Sequence, residues 1–173
     1  HLGVIDNQTN FAAFDGFHDA TISGNIVSLS MQDVDHVQMY PTYVFLDTGS
    51  PHHVEFVNDI KGIDVPKRGS MIAHNEIYGD EGTNVNFVEI NEAKEIHVRT
   101  FERGVENETL SCGTGVTAAA LAAFSTAKVT NSKIQVHTLG GDLTVSFATQ
   151  DKGFIDLVLT GPTKLVFSGT LEL

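Results

Sequence analysis

Phe101-Glu102-Arg103-Gly104-Val105-Glu106-Asn107-Glu108-Thr109-Leu110-Ser111-Cys112-Gly113-Thr114-Gly115-Val116-Thr117-Ala118-Ala119-Ala120 gathers the side chains of a small-molecule site into one short run. Before it, Ile96-His97-Val98-Arg99-Thr100-Phe101 alternates apolar and polar residues as a strand does. After it, Val116 to Ala127 is rich in Ala and Leu, as a helix is. The reading is strand, turn, helix, with Cys112, the chain's only cysteine, on the turn. The first N–H groups of a helix have no intrahelical partner and the macrodipole is positive there, so the position favours a thiolate and attracts a carboxylate. A free thiol titrates at about pH 8.5, and a modest lowering makes it a base or nucleophile at neutral pH. Gly113 and Gly115 let a ligand approach the backbone closely. On position alone, a buried structural cysteine is an equally good reading, because free cysteines are among the most buried residues.

Two blocks upstream bear on that balance. Gly49-Ser50-Pro51-His52-His53-Val54 sets two histidines beside a turn, and Gly82-Thr83-Asn84-Val85-Asn86-Phe87 opens a strand whose alternate residues, Asn84 and Asn86, share a face. Taken in order with Glu102-Arg103-Gly104, Glu108-Thr109 and Cys112-Gly113-Thr114-Gly115, these blocks resemble the diaminopimelate epimerases. The Glu-Thr-x-x-Cys-Gly-Thr-Gly portion is the most specific part, and Gly-x-Pro-His is the weakest alone.

The resemblance implies an α+β fold in which an antiparallel, β-barrel-like sheet wraps a central helix, with two such domains each giving one catalytic cysteine. On that pattern residues 37–162 are the whole C-terminal domain carrying Cys112, and residues 1–36 with about 163–173 are a remnant of the N-terminal domain. The implied reaction is the interconversion of LL- and meso-diaminopimelate in lysine and cell-wall precursor synthesis, by two opposed thiols without a cofactor. One thiolate removes the α-proton while the other thiol delivers a proton to the opposite face. A chain with one of the two bases is expected to be inactive alone.

By the same resemblance Cys112 is a catalytic base, and Arg103 and Asn84 hold the distal carboxylate end. Glu102 lies near the reacting centre, where it binds an ammonium group and modulates the thiol; His52 tunes cysteine pKa values. The backbone of Gly113 and Thr114, at the helix start, is expected to hold the reacting carboxylate and its developing charge. A nearby carboxylate raises a thiol pKa, whereas the helix terminus and a cationic His52 lower it. The sequence departs from the family at Ser50, where many members carry an Asn of longer reach, and between Gly104 and Glu108, where one extra residue falls to the loop.

Composition narrows the partners. The 173 residues carry 22 acidic and 10 basic side chains, a net charge of -12, which repels nucleic acid and anionic membranes. No run approaches the roughly 18 apolar residues of a membrane span. The start, His1 to Ile5, has no basic leader pattern, and a first residue other than Met points to a truncated or processed chain. A soluble, cytoplasmic protein is expected. One cysteine forms no internal disulfide, and the eight histidines lack metal-ligand spacing, so no metal is assigned. Apolar area left exposed by a missing domain is expected to drive homodimer formation.

Elsewhere, Asp15 to Ile22 and Asn25 to Met31 read as a hairpin around Ser23-Gly24, and Tyr43 to Leu46 and His53 to Val57 as strands. Asp64 with Pro66 predicts a short helix start, its charges solvated, and Asn75 to Thr83 a polar turn. Ile134 to Leu139 and Leu143 to Phe147 form a hairpin over Gly140-Gly141-Asp142, and Phe154 to Leu159 is a strand. Gly161-Pro162 is expected to break the chain before a last strand at Leu165-Val166-Phe167 with Leu171. Three alternatives compete. A racemase of this fold acting on another amino acid such as proline is disfavoured by Arg103 and Asn84. The others are a cysteine hydrolase pairing Cys112 with His52 or His53, and a non-catalytic binding module.

Overall fold

The alanine-rich segment after Cys112 becomes the axis of the molecule. The computed structural model describes residues 5–170, so His1 to Val4 of the start and Leu171 lie outside the described residues. The strands are β1 (Gln8–Ala13), β2 (Gly16–Ser23), β3 (Ile26–Ser30), β4 (Val37–Met39), β5 (Val44–Asp47) and β6 (Pro51–Phe56). After helix α1 (Val65–Ala73) come β7 (Asn84–Ile90), β8 (Ile96–Glu102) and β9 (Asn107–Thr109). Helix α2 (Gly113–Ser125) leads into β10 (Lys133–Thr138), β11 (Gly141–Gln150) and β12 (Gly153–Pro162).

All of α2 from Gly115 to Ala123 is buried. A helix apolar on every side has no face for water and must be enclosed. The 12-stranded sheet does this: its order is β1-β2-β3-β12-β11-β10-β8-β7-β6-β5-β4, with β9 on β8, and strands β5 to β8 and β10 to β12 all contact α2. Val54, Val88, Ile96, Val116, Leu121, Val136 and Val145 fill the space between.

The sheet is mixed, not wholly antiparallel as expected. β6 with β7 and β8 with β10 pair in parallel. A parallel return needs a crossover, and α1 supplies one while α2 supplies the other. Helix α1 begins as expected, the Asp64 side chain accepting from Lys67 N at 3.2 Å. It covers a second core of Ile60, Val65, Ala73, Val85, Phe87 and Phe101. Its charges are not only solvated: exposed Arg68 also pairs with Glu55 and lies 5.2 Å from the Phe87 ring centroid.

One strand is added and two local expectations change. Gln8–Ala13 adds a strand beside the first hairpin. Gly161 and Pro162 do not break the chain; they continue β12 and pair with Val27 and Ile26. Pro162 is the strand's last residue, where a missing N–H costs little. Leu165, Val166 and Phe167 form no strand and lie exposed.

Candidate active site

Cys112 is the residue before the first turn of α2, with extended backbone at φ -122° and ψ 114°. The first helical bond runs from Val116 N to the Cys112 carbonyl at 2.8 Å, so the N–H groups of Gly113, Thr114 and Gly115 precede it. The Gly115 N–H serves the sulfur. Gly113 and Thr114 border a cavity of about 330 Å³ whose walls include Phe11, Asp15, His18 and Leu159. A side chain at Gly115 would overlap Asn86 Oδ1, so the glycine is what lets the helix start seat on β7.

The thiol is half-buried, with Thr114 Oγ1 3.4 Å from Sγ. Burial pushes its pKa up and the facing Glu102 carboxylate adds to that, while the Thr114 hydroxyl and Gly115 N–H pull it down. Between the opposed influences that the sequence left open, enclosure by the sheet outweighs the helix terminus. Thr109 Oγ1 donates to Glu102 Oε1, which fixes that carboxylate at the end of β8.

His52 is fully buried, with Nδ1 3.0 Å from Asn86 Nδ2 and Nε2 3.1 Å from Ser50 Oγ. Burial, and then the Arg103 charge, push its pKa down to about 3, so it is neutral. A neutral His52 lends the thiol no charge, and it reaches the sulfur through the hydroxyls of Ser50 and Thr114. Ser50, short as it is, holds the centre of this group, its Oγ 3.2 Å from Thr114 Oγ1. Successive strand residues point to opposite faces. Accordingly His53 turns the other way, with Nδ1 2.6 Å from the Tyr78 hydroxyl and its ring stacked on Tyr43 at 4.3 Å. Neither histidine has the contact a thiol–imidazole hydrolase requires.

Asn84 and Asn86 share the inner face as the alternation predicts, yet both amides are engaged by the protein. Asn84 Oδ1 accepts from Arg103 N at 3.0 Å, and Nδ2 donates to Pro51 O at 3.1 Å and to Ser50 Oγ at 3.3 Å. Asn84 therefore fixes the start of the Arg103 loop, which spans Glu102 and Asn107 and turns with positive φ at Gly104 (87°) and Glu106 (60°). The Arg103 guanidinium gives Nη1 to Glu81 O at 3.2 Å. The same nitrogen lies 3.9 Å from the exposed Glu81 carboxylate, and Nε and Nη2 donate no hydrogen bond among the described residues. Glu108 of the motif pairs instead with Arg99, at 2.6 Å to Nε and 2.7 Å to Nη2. Residues the motif reading left without a role are Thr48, which donates to Thr114 O at 2.9 Å, Asn86 and Thr109. Alternation marked the face of Asn86 but nothing in sequence marked its partners.

The family model described as diaminopimelate epimerase matches residues 44–166, which take in every block named above. The chain belongs to the diaminopimelate epimerase family. A diaminopimelate epimerase of Flavobacterium psychrophilum is 45% identical over 171 residues, 98% of this chain and 67% of that protein. One from Chlorobaculum tepidum is 45% identical over 130 residues, 75% of this chain and 49% of its own length. The chain thus spans between about half and two thirds of these curated relatives. Among solved structures, a hydroxyproline epimerase from Agrobacterium vitis superposes with a TM-score of 0.69 at 15% identity, covering 93% of this chain and 58% of its own. A PhzF-family phenazine biosynthesis protein from Enterococcus faecalis gives 0.65 at 17%, covering 100% and 68%. At these identities the likeness is one of fold: a large sheet around a central helix. No helix among the described residues is long and apolar enough to cross a membrane.

Proposed function

We propose that this chain supplies the Cys112 half of a cofactor-independent, two-thiol epimerisation of diaminopimelate, serving lysine and peptidoglycan precursor synthesis. The observation that carries the reading is the placing of Cys112 at the first turn of an enclosed helix, between Glu102 and Thr114. The thiol proton faces the Glu102 carboxylate, and the thiolate left by its removal is held by the Thr114 hydroxyl and the Gly115 N–H. That thiolate takes the α-proton of substrate; in the reverse direction the thiol returns it. The carbanion formed beside a carboxylate has no ring to spread its charge. Gly113 and Thr114 border the cavity, and their N–H groups at the helix start offset that charge. The uncommitted N–H groups of Arg103 form a fork for the distal carboxylate, and Glu102 also suits the substrate ammonium.

The chain holds one cysteine, so the opposing thiol comes from outside these 173 residues. Residues 37–162 are taken as the unit that carries Cys112, and residues 1–36 with about 163–173 as belonging with the domain that carries the other thiol. Alkylation of Cys112 followed against pH, with and without diaminopimelate, tests the site: protection by substrate is expected. A rate indifferent to saturating diaminopimelate at every pH would sink the assignment. The single-cysteine chain should leave the configuration of diaminopimelate unchanged, because no acid stands on the opposite face, and appreciable interconversion of the LL and meso forms would overturn the two-thiol requirement.

A further inference from the structure

We propose that Asn86 is a positioning residue that holds His52 as its Nε2–H tautomer and so aims a one-way chain of hydrogen-bond donors at the Cys112 sulfur. The significance of that aim rests on the reading of Cys112 as the thiol base; the geometry of the chain does not.

The amide of Asn86 is fully buried, and its nitrogen lies 3.2 Å from the His53 carbonyl oxygen. A carbonyl only accepts, so this end of the amide is the NH2. The oxygen end takes the Thr100 hydroxyl at 3.0 Å, which agrees with that orientation. The second N–H of Asn86 is then directed at His52 Nδ1, 3.0 Å away, and Nδ1 must present its lone pair. The imidazole is neutral, so its proton sits on Nε2.

From Nε2 the proton is donated to Ser50 Oγ at 3.1 Å. Asn84 donates to the same oxygen at 3.3 Å, its own amide oriented by the Pro51 carbonyl and the Arg103 N–H. A hydroxyl has two lone pairs and one proton. With both lone pairs of Ser50 taken, its proton goes to Thr114 Oγ1, 3.2 Å away. Thr114, having accepted there, donates to Sγ at 3.4 Å, with its backbone carbonyl held by Thr48.

Every donor therefore points toward the sulfur. Reversing the Asn86 amide would put the His52 proton on Nδ1 and draw the Ser50 proton back to Nε2, leaving Thr114 without a donor. A hydrogen bond onto the charged thiolate is roughly twice as strong as one onto the neutral thiol, so the chain favours ionisation. The other groups facing these atoms are Glu102, which favours the thiol, and Arg103, whose charge favours neutral His52.

The test is long-range 15N–1H NMR of histidine-labelled full chain, together with the pH profile of Cys112 alkylation. His52 is expected as the Nε2–H tautomer, and a Nδ1–H tautomer in the native chain overturns the proposal. In Asn86→Asp the carboxylate can only accept, so His52 should change to Nδ1–H or imidazolium and alkylation at neutral pH should slow. Should that variant not fold, Ser50→Ala and Thr114→Val decide the matter. Thr114→Val should slow alkylation at neutral pH about tenfold, the loss of one hydrogen bond to a charged group. Ser50→Ala should slow it in the native background and have no further effect on top of Thr114→Val. A Ser50→Ala chain that alkylates like the native one overturns the relay. None of these readouts uses diaminopimelate, so failure of the relay and failure of the substrate assignment are distinguishable.

Discussion

Cys112 is poised between opposed influences, and their balance is the residue-scale property that matters most. Burial and Glu102 favour the thiol; Thr114 and Gly115 favour the thiolate. Replacing Glu102 by Gln keeps an oxygen that can accept from Thr109 but removes the charge. Alkylation of Cys112 at neutral pH should then rise by roughly threefold to tenfold, as the loss of a nearby like charge lowers a pKa. A slower reaction would mean that Glu102 serves as the thiol's proton acceptor more than as a repelling charge. The identity of this site was legible in sequence, since Glu102, Arg103 and Cys112 to Gly115 stand in one run. The state of its groups was not. His52 is neutral and the thiol is raised because both are enclosed by strands distant in sequence, and enclosure has no local signature.

At the scale of elements, α1 is seated on β8 by one glycine. A methyl group at Gly69 would overlap Phe101 Cβ, the residue next to Glu102, so the helix meets the strand at backbone distance. Gly69→Ala should destabilise the chain by about 1–3 kcal/mol, the ordinary cost of overpacking, and should also alter Cys112 alkylation through the displaced strand. Asp64→Ala, which removes only the cap of the same helix, should cost about 1 kcal/mol and leave the alkylation profile alone. Thermal melts read the first quantity and thiol kinetics the second; equal disturbance of the profile by both variants would show that α1 acts through general loosening. Helices α1 and α2 were readable from Asp64, Pro66 and the alanine run. The parallel pairing of β6 with β7 and of β8 with β10 was not, because strand direction is set by what the connection must cross. Gly161-Pro162 misled for a related reason: a ladder partner in β3 holds extended a pair that alone would turn.

For the whole molecule, exposed Phe14 and Phe17 at the turn between β1 and β2 motivate self-association, and a sedimentation series is expected to show dimer. A species that stays monomeric with rising concentration would count against it. The pH dependence of stability follows from two enclosed imidazoles. His52 and His53 are pushed from an ordinary value of 6.5 down to about 3 and about 4, burial being the main cause in each. Between those values and 6.5 the unfolded chain binds protons that the folded chain refuses. Their contribution is therefore complete above 6.5 and is lost as pH falls. Each group contributes a slope of about 1.4 kcal/mol per pH unit once its unfolded form is fully protonated, so the pair contributes about 2.7. His18 has the opposite sign: its hydrogen bonds to Ser30 O and Asp15 raise its pKa, so its contribution is full below 6.5 and fades as pH rises through the raised value. It adds no slope in the acid window. For a chain of this size the pair's slope corresponds to Tm falling by about 5–10 °C per pH unit below about pH 5.5. His53→Phe keeps a ring to stack on Tyr43 and removes one titrating group, so its acid slope should be about half the native one. A native Tm that is flat from pH 7 to 4.5 would mean that water reaches both rings, His52 on the inner face beside Asn86 and His53 under Tyr43 and Tyr78 on the other.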